Sequence, residues 1–425
     1  MKEDFPIFLW KYQYFSKNQL TTTQNEEVNI FNPGQQNFDA GPDFAQSRIN
    51  IDGINWFGHV EVHVKSSHWV LHNHQNDQAY DMVILHVVWE DDAPVRRTDG
   101  SLIPTIELKD RVDIELFNRY KYLSQSLEKI PCNYKINQVD KLIIHSMLDK
   151  TVMQRLERKA DFVINLVKKK FTWEEATYRL LAQNFGFKTN KEAFLRLAES
   201  LPLKIIDKHR DNLFQIEALL FGVAGFLKAD LADDYFGRLK AEYKFLAHKY
   251  RLGTVELNKV EWKFLRMRPG NFPTIRLAQF AQLYHRNKNL FSVFKEVNSW
   301  QFFVDNLSIN QSEYWRNHYS FGKVSGALVP GLGKESVYNL VINTIVPLKV
   351  AFGIIREDQY QIDAAIRLLE ELPAEVNKVT KLWGNLEVKV ANAFDSQGLM
   401  ELFDKFCLGN KCLNCNIGIS IVKTT

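Results

Sequence analysis

Cysteine is scarce in this chain, four in 425 residues. So low a content excludes the disulfide-dense scaffolds of small secreted domains. Long apolar runs are missing too: none approaches the ~20 residues that span a bilayer, and no membrane partner is expected. The opening Met1-Lys2-Glu3-Asp4 is acidic and lacks the apolar stretch of a signal peptide, which predicts a cytoplasmic location. With 12 prolines and 20 glycines and no internal repeat, collagen-like and low-complexity classes fall away. What is present is 45% apolar and 24% charged residues, the make-up of an ordinary globular protein with room for two or three domains.

The net charge of +4 hides an asymmetry. Residues 1–110 hold 8 Lys/Arg against 16 Asp/Glu, a balance of −8, so the remainder carries +12. An acidic part that can hold cations, followed by a basic part that can hold phosphates, suits an enzyme acting on DNA or RNA. A solvated helical surface accounts for a modest excess of this kind equally well.

The chemistry concentrates near the N-terminus. Asp43 lies in Gly41-Pro42-Asp43-Phe44, just before a strand-like stretch, and Glu61-Val62-His63-Val64-Lys65 lies within the next strand. Alternation puts Glu61, His63 and Lys65 on one face of that strand and Val60, Val62 and Val64 on the other. Asp43 and Glu61 can thereby converge on one divalent cation. The predicted elements are a helix at 5–16, strands at 27–32, 45–52 and 54–66 with a turn at Asp52-Gly53, a short helix at 76–81 and a buried strand at 82–89. This α-β-β-β-α-β order resembles the core of PD-(D/E)xK nucleases, with Pro42-Asp43 as the PD and Glu61-Val62-His63 in place of ExK. The resemblance implies Mg²⁺ or Mn²⁺ on Asp43 and Glu61. It also implies a residue at position 63 that positions and activates water. The family usually has lysine there; here it is His63, with Lys65 two residues on. A neutral imidazole can accept a proton near pH 7. The expected fold class is therefore α+β: a nuclease-like mixed domain over 1–110, then a mostly helical domain over 111–425.

Asp39-Ala40-Gly41-Pro42-Asp43-Phe44, Gly58-His59-Val60-Glu61-Val62-His63, Arg268-Pro269-Gly270-Asn271-Phe272-Pro273 and Cys412-Leu413-Asn414-Cys415-Asn416-Ile417-Gly418 carry a second resemblance. They are similar to the domain of unknown function 2851 family, spread through Bacteroidetes-type bacteria. That likeness spans essentially the full length and implies no activity, so function rests on the residues.

From about Arg111 the periodicity is helical, most clearly over 140–170, 173–185, 191–200 and 215–227. Arg266, Arg268 and Arg276 cluster in a Pro- and Gly-bounded loop before a helix, a sensible phosphate site. Local carboxylates could instead neutralise them. Between Gln311 and Lys323 aromatics interleave with Arg316, His318 and Lys323, a pattern that suits either base stacking or a core. Pro330-Gly331-Leu332-Gly333-Lys334 lacks the spacing of a phosphate loop, which excludes that route to nucleotide hydrolysis.

The cysteines and histidines add candidate ligands. Cys407, Cys412 and Cys415 form C-x4-C-x2-C, and Cys132 would complete a four-thiolate site for Zn²⁺ or an iron–sulfur cluster. Four unpaired buried cysteines are the plainer reading. His68, His72, His74 and His86 follow the strand bearing Glu61. His72-x-His74-x-x-Asp77 partly matches a zinc-hydrolase motif but lacks its final histidine. His86, inside an apolar strand, reads as a core histidine. Three functions follow: a Mg²⁺- or Mn²⁺-dependent nuclease, a Zn²⁺-dependent hydrolase using His72, His74 and Asp77, and a nucleic-acid-binding protein with an inactive nuclease-like fold.

Overall fold

The computed structural model describes residues 1–423. Its contacts divide the chain into two units, Met1–Met147 with Leu402–Thr425, and Leu148–Glu401. The boundary expected at residue 110 is displaced for a physical reason. The helix after it packs back into the first unit, where Tyr120 stacks on Phe5 at 4.2 Å and Arg119 Nε donates to Val422 O.

The first unit is built on a mixed sheet. Its strands are β1 (Val28–Asn32), β2 (Gln35–Gln36), β3 (Phe44–Ile51), β4 (Ile54–Lys65), β5 (Val83–Glu90) and β6 (Thr105–Glu107), in the order β1-β3-β4-β5-β6, with β2 on β3. β3 and β4 form an antiparallel hairpin closed by Asp52 and Gly53. Both have positive φ, 48° and 81°, as a two-residue primed turn requires. β5 joins β4 in parallel, and β6 joins β5 in parallel. The β4-to-β5 connection contains a short helix α2 (His68–Leu71) and two 3-10 turns, His74–Asn76 and Gln78–Tyr80. The helix expected at 76–81 is thus only a turn, started by the Asp77 side chain accepting from Ala79 N–H.

Three features place the chemistry on this sheet. β4 is central, so both its edges are paired and Val60, Glu61, Val62 and His63 are all buried. β5 is apolar but for His86 and the closing Glu90, and is buried from Val83 to Val88, the pattern of a strand covered on both faces. α1 (Asp4–Tyr12) packs on β4 and β5 through Phe5, Phe8, Leu9 and Trp10. Gly58 permits the close β4–β5 approach, since a Cβ there would lie 2.5 Å from Ile84 Cγ2 and from Met82 O.

The second unit is helical apart from a two-stranded ribbon, His318–Ser320 with Lys323–Val324. Its helices include Trp173–Phe185, Lys191–Ser200, Leu213–Val223, Asp234–Tyr250 and Pro273–Arg286, enclosing an extensive apolar core. The aromatics of 311–323 belong largely to that core: Trp315 is fully buried and stacks on Phe221 at 4.7 Å. Lys334–Arg356 is one continuous helix through a π turn at Val341–Ile345. By length and composition it could cross a membrane, although 72% of its apolar window is buried here. Asn339, Asn343 and Lys349 interrupt the run, which hides its length from a scan for unbroken apolar sequence.

Candidate metal centre

The site is assembled by backbone hydrogen bonds to its two carboxylates. Just before β3, Asp43 N–H donates to Glu61 Oε2 at 3.0 Å, and on β4 Val62 N–H donates to Asp43 Oδ2 at 3.0 Å. The β3–β4 register shifts between the Phe44–Val60 and Ser47–Gly58 pairs, where Gln46 takes φ 58°. A bulge at that point re-aims the strand end that carries Asp43. Each carboxylate is tied at one oxygen, and Glu61 Oε1 is left facing the histidines.

Around Glu61 Oε1 the imidazoles gather. His74 Nε2 lies 3.4 Å from it and His63 Nε2 3.6 Å. His63 Nε2 is also 3.1 Å from His72 Nδ1, and 3.9 Å from Glu3 Oε1. The ligand atoms of His63, His72 and His74 all lie within 4.8 Å of one another. Four ligands on one ion at ~2.0–2.1 Å would be separated by roughly 3.3 Å. The spacings around Glu61 Oε1 are of that size. His74 Nε2 and Glu3 Oε1 are buried with no hydrogen-bond partner, as expected of atoms that complete a coordination shell.

Electrostatics agree with this geometry. Burial, and then the neighbouring Glu61, hold the Asp43 carboxyl well above its ordinary range; Glu61 is raised too, chiefly by burial. Burial pushes Glu3 up in the same way. Two ionised carboxylates in so dry a place repel one another, and a cation would relieve them. The imidazoles are held neutral: burial brings His63 down to about 2 and His86 down to about 3, with neighbouring imidazoles adding to the effect, and burial also lowers His74. Neutral imidazole is the form that ligates metal.

His63 Nδ1 is 2.8 Å from His86 Nε2, so the fully buried His86 fixes the ring that faces Glu61. It is therefore not a satisfied core histidine: its Nδ1 has no partner. Tyr80 stacks on His74 at 3.8 Å, and Trp69 meets His74 and His86 edge-on. A mixed imidazole and carboxylate donor set fits Mn²⁺ or Zn²⁺ better than Mg²⁺, which prefers oxygen.

Other candidate residues lie elsewhere. Lys65 Nζ is 3.6 Å from Asp92 and 3.9 Å from Glu90, so strand alternation does not deliver its ammonium to the carboxylates. Asp77 is occupied as the cap of its turn. Glu3, on the segment leading into α1, joins the site without any sequence signal; only the packing of α1 on β4 brings it there.

The four cysteines lie in the first unit, and burial, with neighbouring thiols adding to it, pushes Cys132 up to about 12 and raises Cys407 and Cys412. The link is structural: Asn410 Nδ2 donates to Ser124 O and Ser126 O, pinning the C-terminal loop beside the segment that leads to Cys132. Gly418 lets the Cys412 turn settle on the last helix, since a Cβ there would lie 2.2 Å from Cys412 O. In the second unit Arg266, Arg268 and Lys323 are exposed, whereas Arg276 is buried.

No curated protein and no solved structure matches the chain. A family model of a protein of unknown function, DUF2851, matches residues 3–378, a span that includes Glu3, Asp43, Glu61 and the histidines. The chain belongs to the DUF2851 family.

Proposed function

We propose that this protein is a divalent-metal-dependent hydrolase of phosphodiester bonds in nucleic acid. One observation carries the reading: beside the Asp43 carboxylate, Glu61 Oε1 lies 3.4 Å from His74 Nε2 and 3.6 Å from His63 Nε2, and His63, His72 and His74 bring one ligand atom each within 4.8 Å of one another. The nuclease-like pair and the histidine pair, separate candidates in the sequence, meet at one place, while Asp77 and Lys65 do not join them. The substrate class follows from the acidic residues on adjoining strands, the arrangement that resembles PD-(D/E)xK nucleases.

A bound divalent ion supplies Lewis acidity toward the phosphate and lowers the pKa of water. The chain's own residues do the rest. Asp43 and Glu61 would hold the cation, with their orientation set by the two backbone N–H groups. His63, held neutral and with its ring oriented by the His86 contact, would join them in holding the cation through Nε2. Glu3, unpaired at Oε1, closes the site from the α1 side.

The test is cleavage of labelled single- and double-stranded DNA and RNA by metal-stripped protein resupplied with Mg²⁺, Mn²⁺ or Zn²⁺. Activity that returns with metal and disappears in Asp43→Asn supports the reading. Protein that binds nucleic acid and never cleaves it with any of the three would replace it with the binding-protein reading.

We also propose that Cys132, Cys407, Cys412 and Cys415 hold a second, structural metal centre, either Zn²⁺ or an iron–sulfur cluster. The C-x4-C-x2-C spacing of Cys407, Cys412 and Cys415, and the pinning of their loop beside the segment that leads to Cys132, support it.

A further inference from the structure

The second unit contains a buried cation without a counter-charge. Arg276, in the first turn of the helix Pro273–Arg286, is 7% exposed. Its Nη1 donates to Gln279 Oε1 at 2.9 Å, and its Nη2 to Asn271 Oδ1 at 2.6 Å and Ser336 Oγ at 3.3 Å. All three acceptors are neutral. The guanidinium lies 4.3 Å from the centre of the Phe187 ring, and its Nε has no partner. No carboxylate pairs with it among the described residues; burial alone lowers its pKa, to about 10. An uncompensated buried charge is costly, and native proteins retain one chiefly where something else completes it.

What could complete it is set by the space beside it. Arg276 lines a cavity of about 490 Å³ together with Phe187, Lys188, Arg266, Arg268 and Glu335. Four cations against one carboxylate leave a formal +3 around that space. The volume is within the range of small-molecule sites. Arg266 and Arg268 are exposed and belong to its lining. Three guanidinium groups lining one cavity suit a doubly charged, tetrahedral oxyanion better than a single carboxylate.

We propose that this cavity binds a phosphoryl group, seated against the free N–H of Arg276 and closed over by Arg266 and Arg268. The site stands independently of the metal centre. Its phosphoryl group could belong to a free phosphorylated small molecule or to the phosphorylated end of a nucleic-acid strand, and the same chemistry would recognise both.

The test is calorimetric titration of the full-length protein with inorganic phosphate, adenosine monophosphate, and a short oligonucleotide with either a 5′-phosphate or a 5′-hydroxyl. Saturable binding of at least one phosphorylated probe is expected, weakened about ten-fold or more by Arg268→Ala and by Arg266→Ala, both at exposed residues. Arg276→Gln should abolish it; if that variant does not fold, the two exposed variants decide alone. Tighter binding of the 5′-phosphorylated than of the 5′-hydroxyl strand, displaced by free phosphate, assigns the source as a strand end. Binding of the monophosphate but neither strand assigns a small molecule. No binding of any phosphorylated probe at millimolar concentration, or equal binding by the Arg266 and Arg268 variants, would overturn the proposal.

Discussion

Asp43 and Glu61 hold each other's strands: the Asp43 N–H is bound by Glu61 Oε2, and the Asp43 Oδ2 is bound by the N–H of Val62, each at 3.0 Å. This reciprocal arrangement fixes two carboxylates side by side where burial and mutual repulsion oppose their ionisation. The metal-free protein should therefore be less stable than its fold alone would allow. For carboxyls raised in the folded state, the contribution is intact below the unfolded pKa near 4 and is lost as pH rises through the folded one. Glu61→Gln should raise the melting temperature of metal-stripped protein by a few degrees at pH 8 and have little effect at pH 4. Thermal melts with a chelator at both pH values check this.

Lys65 and His63 differ sharply in placement although they share a strand face. Lys65 is half-exposed and engaged with Glu90 and Asp92, whereas His63 is 1% exposed and in the cluster. Lys65→Ala should leave metal-dependent cleavage within about three-fold of wild type, as for loss of a surface ion pair. His63→Ala should lower it by about 10–100-fold, the range for a lost group that holds or orients the metal. Initial rates at saturating metal separate the two.

Asp77 tests which histidine reading is right. Its side chain caps a 3-10 turn. Asp77→Ala should cost about 1 kcal/mol of stability, as a lost cap does, with metal affinity unchanged. Loss of metal on that substitution would instead assign Asp77 as a ligand.

The cysteine centre predicts bound metal in protein purified without air. Elemental analysis should find zinc, or iron with acid-labile sulfide and visible absorbance, and Cys415→Ser should remove most of it. A fully occupied wild-type Asp43 site with no thiol-bound metal would leave the cysteines as core residues.

Glu217 supplies a pH prediction away from either centre. It is almost wholly buried, accepts hydrogen bonds from Tyr235 and Ser312, and burial raises it to about 7. Its stabilising contribution is present below the unfolded value near 4.5 and is lost as pH rises through about 7. Glu217→Gln should flatten that fall and gain up to roughly 3 kcal/mol at pH 8 relative to the ionised wild type. Urea unfolding at pH 5 and pH 8 measures the difference.

Much of the fold is legible from local rules. Asp52-Gly53 announces a primed turn, strict alternation puts Glu61 and His63 together, and the apolar run from Val83 belongs to a strand covered on both faces. Trp173–Phe185 and Lys191–Ser200 begin and end where periodicity places them. What local rules miss is set by distant packing. Glu3 reaches the histidines only because α1 lies across β4. Lys65 is drawn off by Asp92, 27 residues on. Arg276 reads as one of three clustered loop arginines, and only the burial of its helix on nearly every side sets it apart from Arg266 and Arg268. Alternation states which face a side chain leaves from, but not which partner its far end finds.

The most direct test of the metal centre is titration of metal-stripped protein with Mn²⁺, following free ion by electron paramagnetic resonance. Cysteine-bound metal is first quantified, so that the count refers to the carboxylate–histidine site alone. The account predicts one Mn²⁺ per chain in the wild type, weakened by an order of magnitude or more in Glu61→Gln and in His74→Ala. Binding that is absent from the wild type, or undiminished in both variants, would contradict it.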